Sequence, residues 1–183
     1  MSSTPMSWLR TAVRRLALLR EKNRQLLAAG LLSLFAAGLL HSPVLHAETL
    51  LTLKANGQTL DVTRAQLEAL PQHQVLTSTP WTEGVKDFRG PLMRDVLDLL
   101  DAPIVENATL SLIALNDYEV DVSHQDYRQW DVILAHQLDG KTLTRATNGP
   151  LWVIYPRDQT PALQDSRVDY RWAWMLRTVI AKP

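Results

Sequence analysis

Two arginines close to aromatic side chains are the residues of this sequence best suited to binding a ligand. Arg157 follows the short apolar run 151–155 and precedes Asp158, and Arg171 precedes Trp172. A guanidinium group presents paired donors to a phosphate or a carboxylate, and it can also lie over an aromatic ring. The two arginines therefore predict an anion clamp with an aromatic wall. The competing interpretation of Arg157 and Asp158 is an exposed ion pair, which contributes little to stability.

Aromatic residues that follow loops or strands complete the predicted ligand-binding site. Tyr155 ends the apolar run, and Tyr118 follows the pair Asn116-Asp117, which would aim its ring into a pocket. Asn and Asp also favour turns for purely local reasons, so a simple turn is the competing interpretation. For Trp174 a position in the core is preferred. The predicted ligand-binding residues are Trp81, Tyr118, Tyr155, Arg157, Arg171 and Trp172.

The sequence offers no recognisable catalytic or metal-binding pattern. It contains no cysteine, which removes thiolate metal sites and thiol nucleophiles. His73, His124 and His136 lack the spacing of metal ligands, and Ser78 lacks the Gly-x-Ser-x-Gly context of a hydrolase. We therefore predict no catalytic residue and no metal ligand.

The first 47 residues have the composition of an export signal. Six basic residues and one glutamate lie among the first 24 residues, and the run 26–40 is free of charge and rich in Leu and Ala. That run is short for a bilayer-spanning helix, which needs about 20 apolar residues. A signal peptide cleaved after Ala47 is therefore favoured over an uncleaved anchor. We expect a periplasmic protein that contacts the membrane only if the signal is retained.

Residues 48–183 form one predicted domain with an acidic balance. Six of the 19 basic residues and one of the 19 acidic residues precede Glu48, which leaves 13 basic and 18 acidic residues. This balance argues against nucleic acid and against an anionic membrane surface as partners. A domain of this length can bury a core that needs no disulfide.

Short strands and short helices are predicted along this domain. Asn56-Gly57 predicts a hairpin between strands at 50–55 and around 60–62, and Thr63 with Gln66 predicts a capping box. The helices are predicted at 64–70, at 90–100 and in a short turn capped by Ser123. Further strands are predicted at 109–115, 118–122, 132–135, 151–155 and 171–180, with 72–81 as a loop or edge strand and 159–169 as a polar loop. The run 151–155 is expected to be the central strand, and a helix competes with the strand at 171–180.

Several landmarks occur in an order that resembles the molybdopterin-binding domain of the sulfite oxidase family, in particular a short, exported, single-domain branch. The first is Trp81-x-x-Gly84, which leads to the predicted helix residues 92–97, and the second is Asn116-Asp117-Tyr118 before an alternating strand. The third is Ile133-Leu134-Ala135 with Asp139-Gly140. The fourth runs from Gly149-Pro150-Leu151 through Tyr155-Pro156 and closes with Arg171-Trp172. The resemblance covers nearly all of residues 48–183. It implies an α+β fold, with mixed β-sheets in barrel-like layers and peripheral short helices.

The resemblance also implies a pterin-linked molybdenum centre held by one cysteine thiolate, with arginines gripping the phosphate of the cofactor. This sequence has Thr77-Ser78-Thr79-Pro80 in the region of that cysteine, and Trp81 stands nearest to it. A hydroxyl group is a much poorer ligand than a thiolate for a soft metal. We therefore predict no certain cofactor, although the resemblance keeps molybdopterin open.

Three hypotheses for the function follow. The first is an exported, non-catalytic domain that binds a small anionic or pterin-like ligand, or a membrane sensor protein. The sensor partner and a signalling role are implied only by the resemblance, because short relatives look like companions of membrane sensors. The second is a molybdopterin-dependent oxidoreductase without a cysteine ligand, and the third is an interaction domain with no small ligand.

Overall fold

The computed structural model describes residues 48–183, so the predicted export signal and its cleavage site lie outside the described residues. The described part is an α+β structure dominated by three β-sheets, with helices of five or six residues at their edges. Within it, no helix combines the length and the apolar character needed to cross a bilayer.

The largest sheet has five strands in the order β2-β1-β11-β5-β6. Its strands are β1 (Thr49–Ala55), β2 (Gln58–Thr63), β5 (Thr109–Ala114), β6 (Glu119–Ser123) and β11 (Leu176–Lys182). The predicted hairpin between β1 and β2 is confirmed, with positive φ angles at Asn56 and Gly57, as a tight two-residue turn requires. Strand β11 lies parallel to β1 and antiparallel to β5, so it is the central strand of this sheet.

Strand β11 begins five residues later than predicted. The predicted strand 171–180 would place Thr178 and Ile180 on the same face as Leu176. In the structure, an irregularity between Leu176 and Thr178 shifts the register, and Val179 is buried instead. An extra residue in one strand moves the following side chains to the other face, and this explains why a strict period of two was wrong here.

The second sheet has four strands in the order β3-β4-β8-β9. These are β3 (Gln72–Thr77), β4 (Lys86–Pro91), β8 (Gln137–Leu138) and β9 (Lys141–Thr142). The alternative of an edge strand at 72–81 is confirmed for β3. The helix predicted at 90–100 was wrong at both ends, because its first residues belong to β4 and helix α2 spans only Met93–Leu97.

The third sheet pairs β7 (Ile133–Ala135) with β10 (Trp152–Ile154), and both strands are fully buried. The apolar run 151–155 is therefore a strand as predicted, but it belongs to a two-stranded sheet, and β11 takes the central place in the largest sheet. In residues 48–183 each of the three sheets is open. The expected barrel-like layers are thus corrected to three open sheets packed around one core.

Two of the short helices begin at the capping residues that the sequence predicts. Helix α1 (Arg64–Ala69) follows Thr63, whose backbone N–H donates to the Gln66 side chain at 2.9 Å. Helix α3 (His124–Gln129) follows Ser123, whose hydroxyl accepts from the backbone of Gln125 at 3.2 Å. These caps satisfy backbone donors that have no partner within the first turn.

Candidate functional site

A cleft of about 280 Å³ opens where the loop after β3, the turn between β5 and β6, and the segment before β11 meet. We call it the aromatic cleft. Its lining residues are Trp81, Asn116, Tyr118, Tyr170, Trp172, Ala173 and Trp174. Trp81, Tyr118 and Tyr170 are 43%, 47% and 41% exposed, whereas Trp172 is 1% exposed. The first three therefore form a rim around a buried floor.

Edge-to-face contacts connect this rim to the core. The ring of Trp81 lies 4.8 Å from the ring of Trp174 at an interplanar angle of 80°. Trp174 lies 6.2 Å from Trp152 on β10, and Trp152 lies 5.5 Å from Phe88 on β4. Such T-shaped pairs are the favoured geometry for aromatic rings. The exposed Trp81 is thus held by a row of rings that ends at two buried residues, Trp152 and Phe88.

The floor of the cleft is positioned by Trp172, which follows a 3₁₀ helix at Ser166–Arg171. Its ring centroid lies 4.8 Å from that of Tyr155, and its backbone carbonyl accepts a hydrogen bond from the indole of Trp152 at 3.2 Å. Tyr155 is fully buried behind Trp172 and does not line the cleft. Burial raises the pKa of Tyr155 well above its ordinary value, so its hydroxyl remains a donor.

Arg171 is partly buried behind the cleft. Its guanidinium lies 3.0 Å from Asp126, whose same oxygen accepts a hydrogen bond from the Tyr155 hydroxyl at 3.2 Å. The guanidinium also lies over the rings of Trp130 and Tyr170, at 5.9 and 5.8 Å from their centroids. Burial raises the pKa of Asp126, and the charge of Arg171 opposes this effect. Arg171 therefore supports Tyr170 on the rim and is already paired.

Arg157 and Asp158 hold the loop that leads to Trp81. The Asp158 carboxylate accepts hydrogen bonds from the backbone N–H and the hydroxyl of Ser78 at 2.7 and 2.5 Å. The Asp158 N–H donates to the hydroxyl of Thr77 at 3.2 Å. The Arg157 guanidinium donates to the Ser78 hydroxyl and to the Gln164 carbonyl, both at 3.4 Å. The pair thus fastens the end of β3 to the segment after β10.

Three of the six predicted site residues, Trp81, Tyr118 and Trp172, meet in the aromatic cleft. Tyr155 and Arg171 lie behind it, and Arg157 lies beside the loop that carries Trp81. The lining residues that the sequence did not predict are Asn116, Tyr170, Ala173 and Trp174. Tyr170, Ala173 and Trp174 lie next to Arg171 and Trp172 in the sequence. This proximity is the signal that could have identified them. Asn116 also accepts a hydrogen bond from the backbone of Tyr118 at 3.3 Å, as expected of a turn residue.

The donors in the region of the missing cysteine do not fit a metal held by a thiolate. The hydroxyls of Thr77 and Ser78 are engaged with Asp158, and the hydroxyl of Thr79 lies 3.0 Å from that of Thr82. Within the described residues, no group of three His, Cys, Asp or Glu side chains could hold a metal ion. A soft metal prefers sulfur donors, so these residues do not reproduce the molybdenum centre that the resemblance implies.

Comparisons with known proteins give a likeness of fold alone. No protein-family model matches the sequence, and no curated protein matches it. Among solved structures, the sulfane dehydrogenase SoxCD from Paracoccus pantotrophus is similar, with a TM-score of 0.54 and 14% sequence identity. The match covers 72% of this chain and 37% of that chain, so this protein spans well under half the length of its structural neighbour. At this identity the likeness shows a distantly similar fold and carries nothing about function.

Proposed function

We propose that this protein is an exported, non-catalytic domain of the molybdopterin-related fold that binds a planar, pterin-like ligand in the aromatic cleft. The observation that carries the proposal is the arrangement of Trp81, Tyr118 and Tyr170 around the buried ring of Trp172. Exposed aromatic surface around a concavity is typical of ligand-binding sites. A flat heterocycle can stack on such rings.

The engagement of the two predicted clamp arginines favours a ring over a bare anion at this site. Arg171 is paired with Asp126, and Arg157 is bonded to Ser78 and Gln164. Neither arginine lines the cleft, so either would have to move away from these partners before it could bind an anion there. Breaking a partly buried ion pair is unfavourable, because it leaves a partly desolvated charge without its partner.

The chemistry of the donors supports a binding role without catalysis. The hydroxyls at 77–79 are occupied by hydrogen bonds within the protein, and the chain has no thiolate to offer a metal. In a signalling partnership with a membrane sensor protein, the aromatic cleft would be the part of this protein that responds to the ligand. Export rests on the basic and apolar character of residues 1–47.

Pterin binding to the purified protein tests this proposal. We expect titration with unsubstituted pterin to quench tryptophan fluorescence in a saturable manner. Trp81→Ala should weaken the affinity about 5- to 150-fold, because stacking of a flat base on an aromatic side chain is worth about 1–3 kcal/mol. Leu76→Ala is the matched control, since Leu76 is 56% exposed and lies outside the cleft.

Two results would contradict the proposal. One is the absence of saturable pterin binding, and the other is an equal loss of affinity in Trp81→Ala and Leu76→Ala. The alternative function is a molybdopterin-dependent oxidoreductase without a cysteine ligand. Stoichiometric molybdenum in protein recovered from its native compartment would establish that alternative in place of a non-catalytic role.

A further inference from the structure

A second cavity, of about 430 Å³, lies on another part of the described surface and contains a cluster of arginines. We call it the arginine pocket. The lining residues that matter here are Arg64, Arg145, Arg177, Thr178 and Glu48. Arg177 and Thr178 are neighbours on β11. The others come from separate segments: Glu48 precedes β1, Arg64 begins α1, and Arg145 begins a 3₁₀ helix at Arg145–Thr147. Only the folded chain brings these arginines together.

Arginines outnumber acidic residues in the lining of the arginine pocket, although the domain as a whole is acidic. Three arginines and Glu48 belong to the lining, whereas residues 48–183 as a whole contain 13 basic and 18 acidic residues. Asp117 and Glu68, which lie outside the lining, pair with Arg177 and Arg64. This local excess of arginines favours a small anion, because a large anionic surface would also meet the acidic residues elsewhere on the domain.

The arginines of the pocket are available to a ligand at low cost. Arg177 lies 2.6 Å from Asp117, and Arg64 lies 3.8 Å from Glu68; both pairs are largely exposed. Exposed ion pairs of this kind contribute little to stability and exchange readily. Arg145 is exposed and makes no ion pair with any of residues 48–183. Its five N–H donors can therefore turn to a bound anion.

We propose that the arginine pocket binds a phosphate group, either as inorganic phosphate or as the phosphate of a small phosphomonoester. Guanidinium groups bind phosphate oxygens through paired, charge-assisted hydrogen bonds, which a hydrated ammonium group reproduces less well. Three arginines from different elements can bind different oxygens of one phosphate. Thr178 also belongs to the lining. This site is separate from the aromatic cleft and does not depend on the ligand proposed for it.

Calorimetric titration of the full chain with inorganic phosphate, at low ionic strength with chloride as the competing anion, tests the proposal. We expect saturable binding that Arg145→Gln weakens at least about 10-fold, the effect of losing one charge-assisted hydrogen bond. The matched control is Arg128→Gln. Arg128 is exposed on α3, lies outside the pocket and makes no ion pair with any of residues 48–183, so this variant removes the same net charge elsewhere.

A second titration with glycerol phosphate distinguishes the two sources of the phosphate group. Tighter binding of the ester would indicate a phosphomonoester, and equal affinity would indicate free phosphate. Either outcome supports the pocket if Arg145→Gln alone loses affinity while both variants keep the melting temperature of the parent protein. The proposal is overturned if neither compound binds saturably, or if Arg128→Gln weakens binding as much as Arg145→Gln.

Discussion

Asp158 is the residue on which the position of the Trp81 loop depends. Its carboxylate accepts two hydrogen bonds from Ser78, and its backbone N–H donates to Thr77. These contacts join residues that lie 80 and 81 positions apart in the chain. Ser78 stands three residues before Trp81, so the bonds fix the start of the short loop that carries the exposed indole.

Replacing Asp158 by alanine should therefore affect both stability and ligand binding. Asp158→Ala leaves the Ser78 donors to solvent, and because they are exposed we expect a loss of about 1 kcal/mol in the free energy of unfolding. Pterin affinity should fall as well, because the Trp81 loop loses the hydrogen bonds from Ser78 to Asp158 that hold it in place. Urea denaturation and the fluorescence titration measure the two effects.

Asp131→Ala is the control for Asp158→Ala. Asp131 also accepts a hydrogen bond, from Arg94 at 2.8 Å, but its side chain is 73% exposed and lies away from the cleft. Its loss should cost no more than a few tenths of a kcal/mol and leave pterin affinity unchanged. Equal effects of the two substitutions would show that Asp158 has no special role.

Among the elements, β4 is the strand that brings the second sheet against the third. Gly90 lies so close to β7 that a Cβ atom would stand 2.0 Å from the carbonyl oxygen of Leu134 and 2.8 Å from the Cα of Ala135. Both neighbours are backbone atoms, which cannot swing away as the end of a side chain can. The glycine is therefore required by the close approach of two strands.

Gly90→Ala should destabilise the protein by about 3 kcal/mol, at the upper end of the cost of overpacking a core. Gly140→Ala is a suitable comparison, because its φ of +73° is strained for alanine but its Cβ would meet nothing within 4 Å. That strain costs about 1–2 kcal/mol. Urea midpoints measure both variants, and a smaller loss in Gly90→Ala than in Gly140→Ala would refute the packing argument.

At the scale of the whole molecule, the last strand of the chain completes the largest sheet. Strand β11 pairs with β1 on one side and with β5 on the other, so it joins the hairpins β1–β2 and β5–β6. It also buries Leu176 and Val179 in the core. Without it, each hairpin would be left as a two-stranded piece, which is at best marginally stable in water.

We therefore expect a chain that ends at residue 175 to lose its cooperative fold. The total stability of a domain is only about 5–15 kcal/mol, and the missing strand removes two ladders of hydrogen bonds together with its buried side chains. Thermal unfolding followed by circular dichroism should show no sigmoidal transition. A chain that lacks only Pro183 is the control and should melt like the parent. A normal transition in the shorter chain would contradict this assignment of β11.

Local features of this protein could be predicted from its sequence because their causes lie within a few residues. The Asn56-Gly57 hairpin, the capping box at Thr63 and the short buried run at 151–155 all depend on neighbouring backbone and side-chain groups. Strand β4 was missed because Gly90-Pro91 is also typical of a helix start, and only the contact with β7 requires a strand there. The register shift in β11 likewise depends on its pairing with β5.

Only the tertiary structure decided which predicted site residues act together. Trp81, Tyr118 and Trp172 come from distant segments, and the row of rings from Trp81 to the core places them around one cleft. The sequence predicts an anion clamp at Arg157 and Arg171, but the fold supplies Ser78 and Asp126 as their partners. A residue type determines which bonds a side chain can make, whereas the fold determines which partners lie within reach.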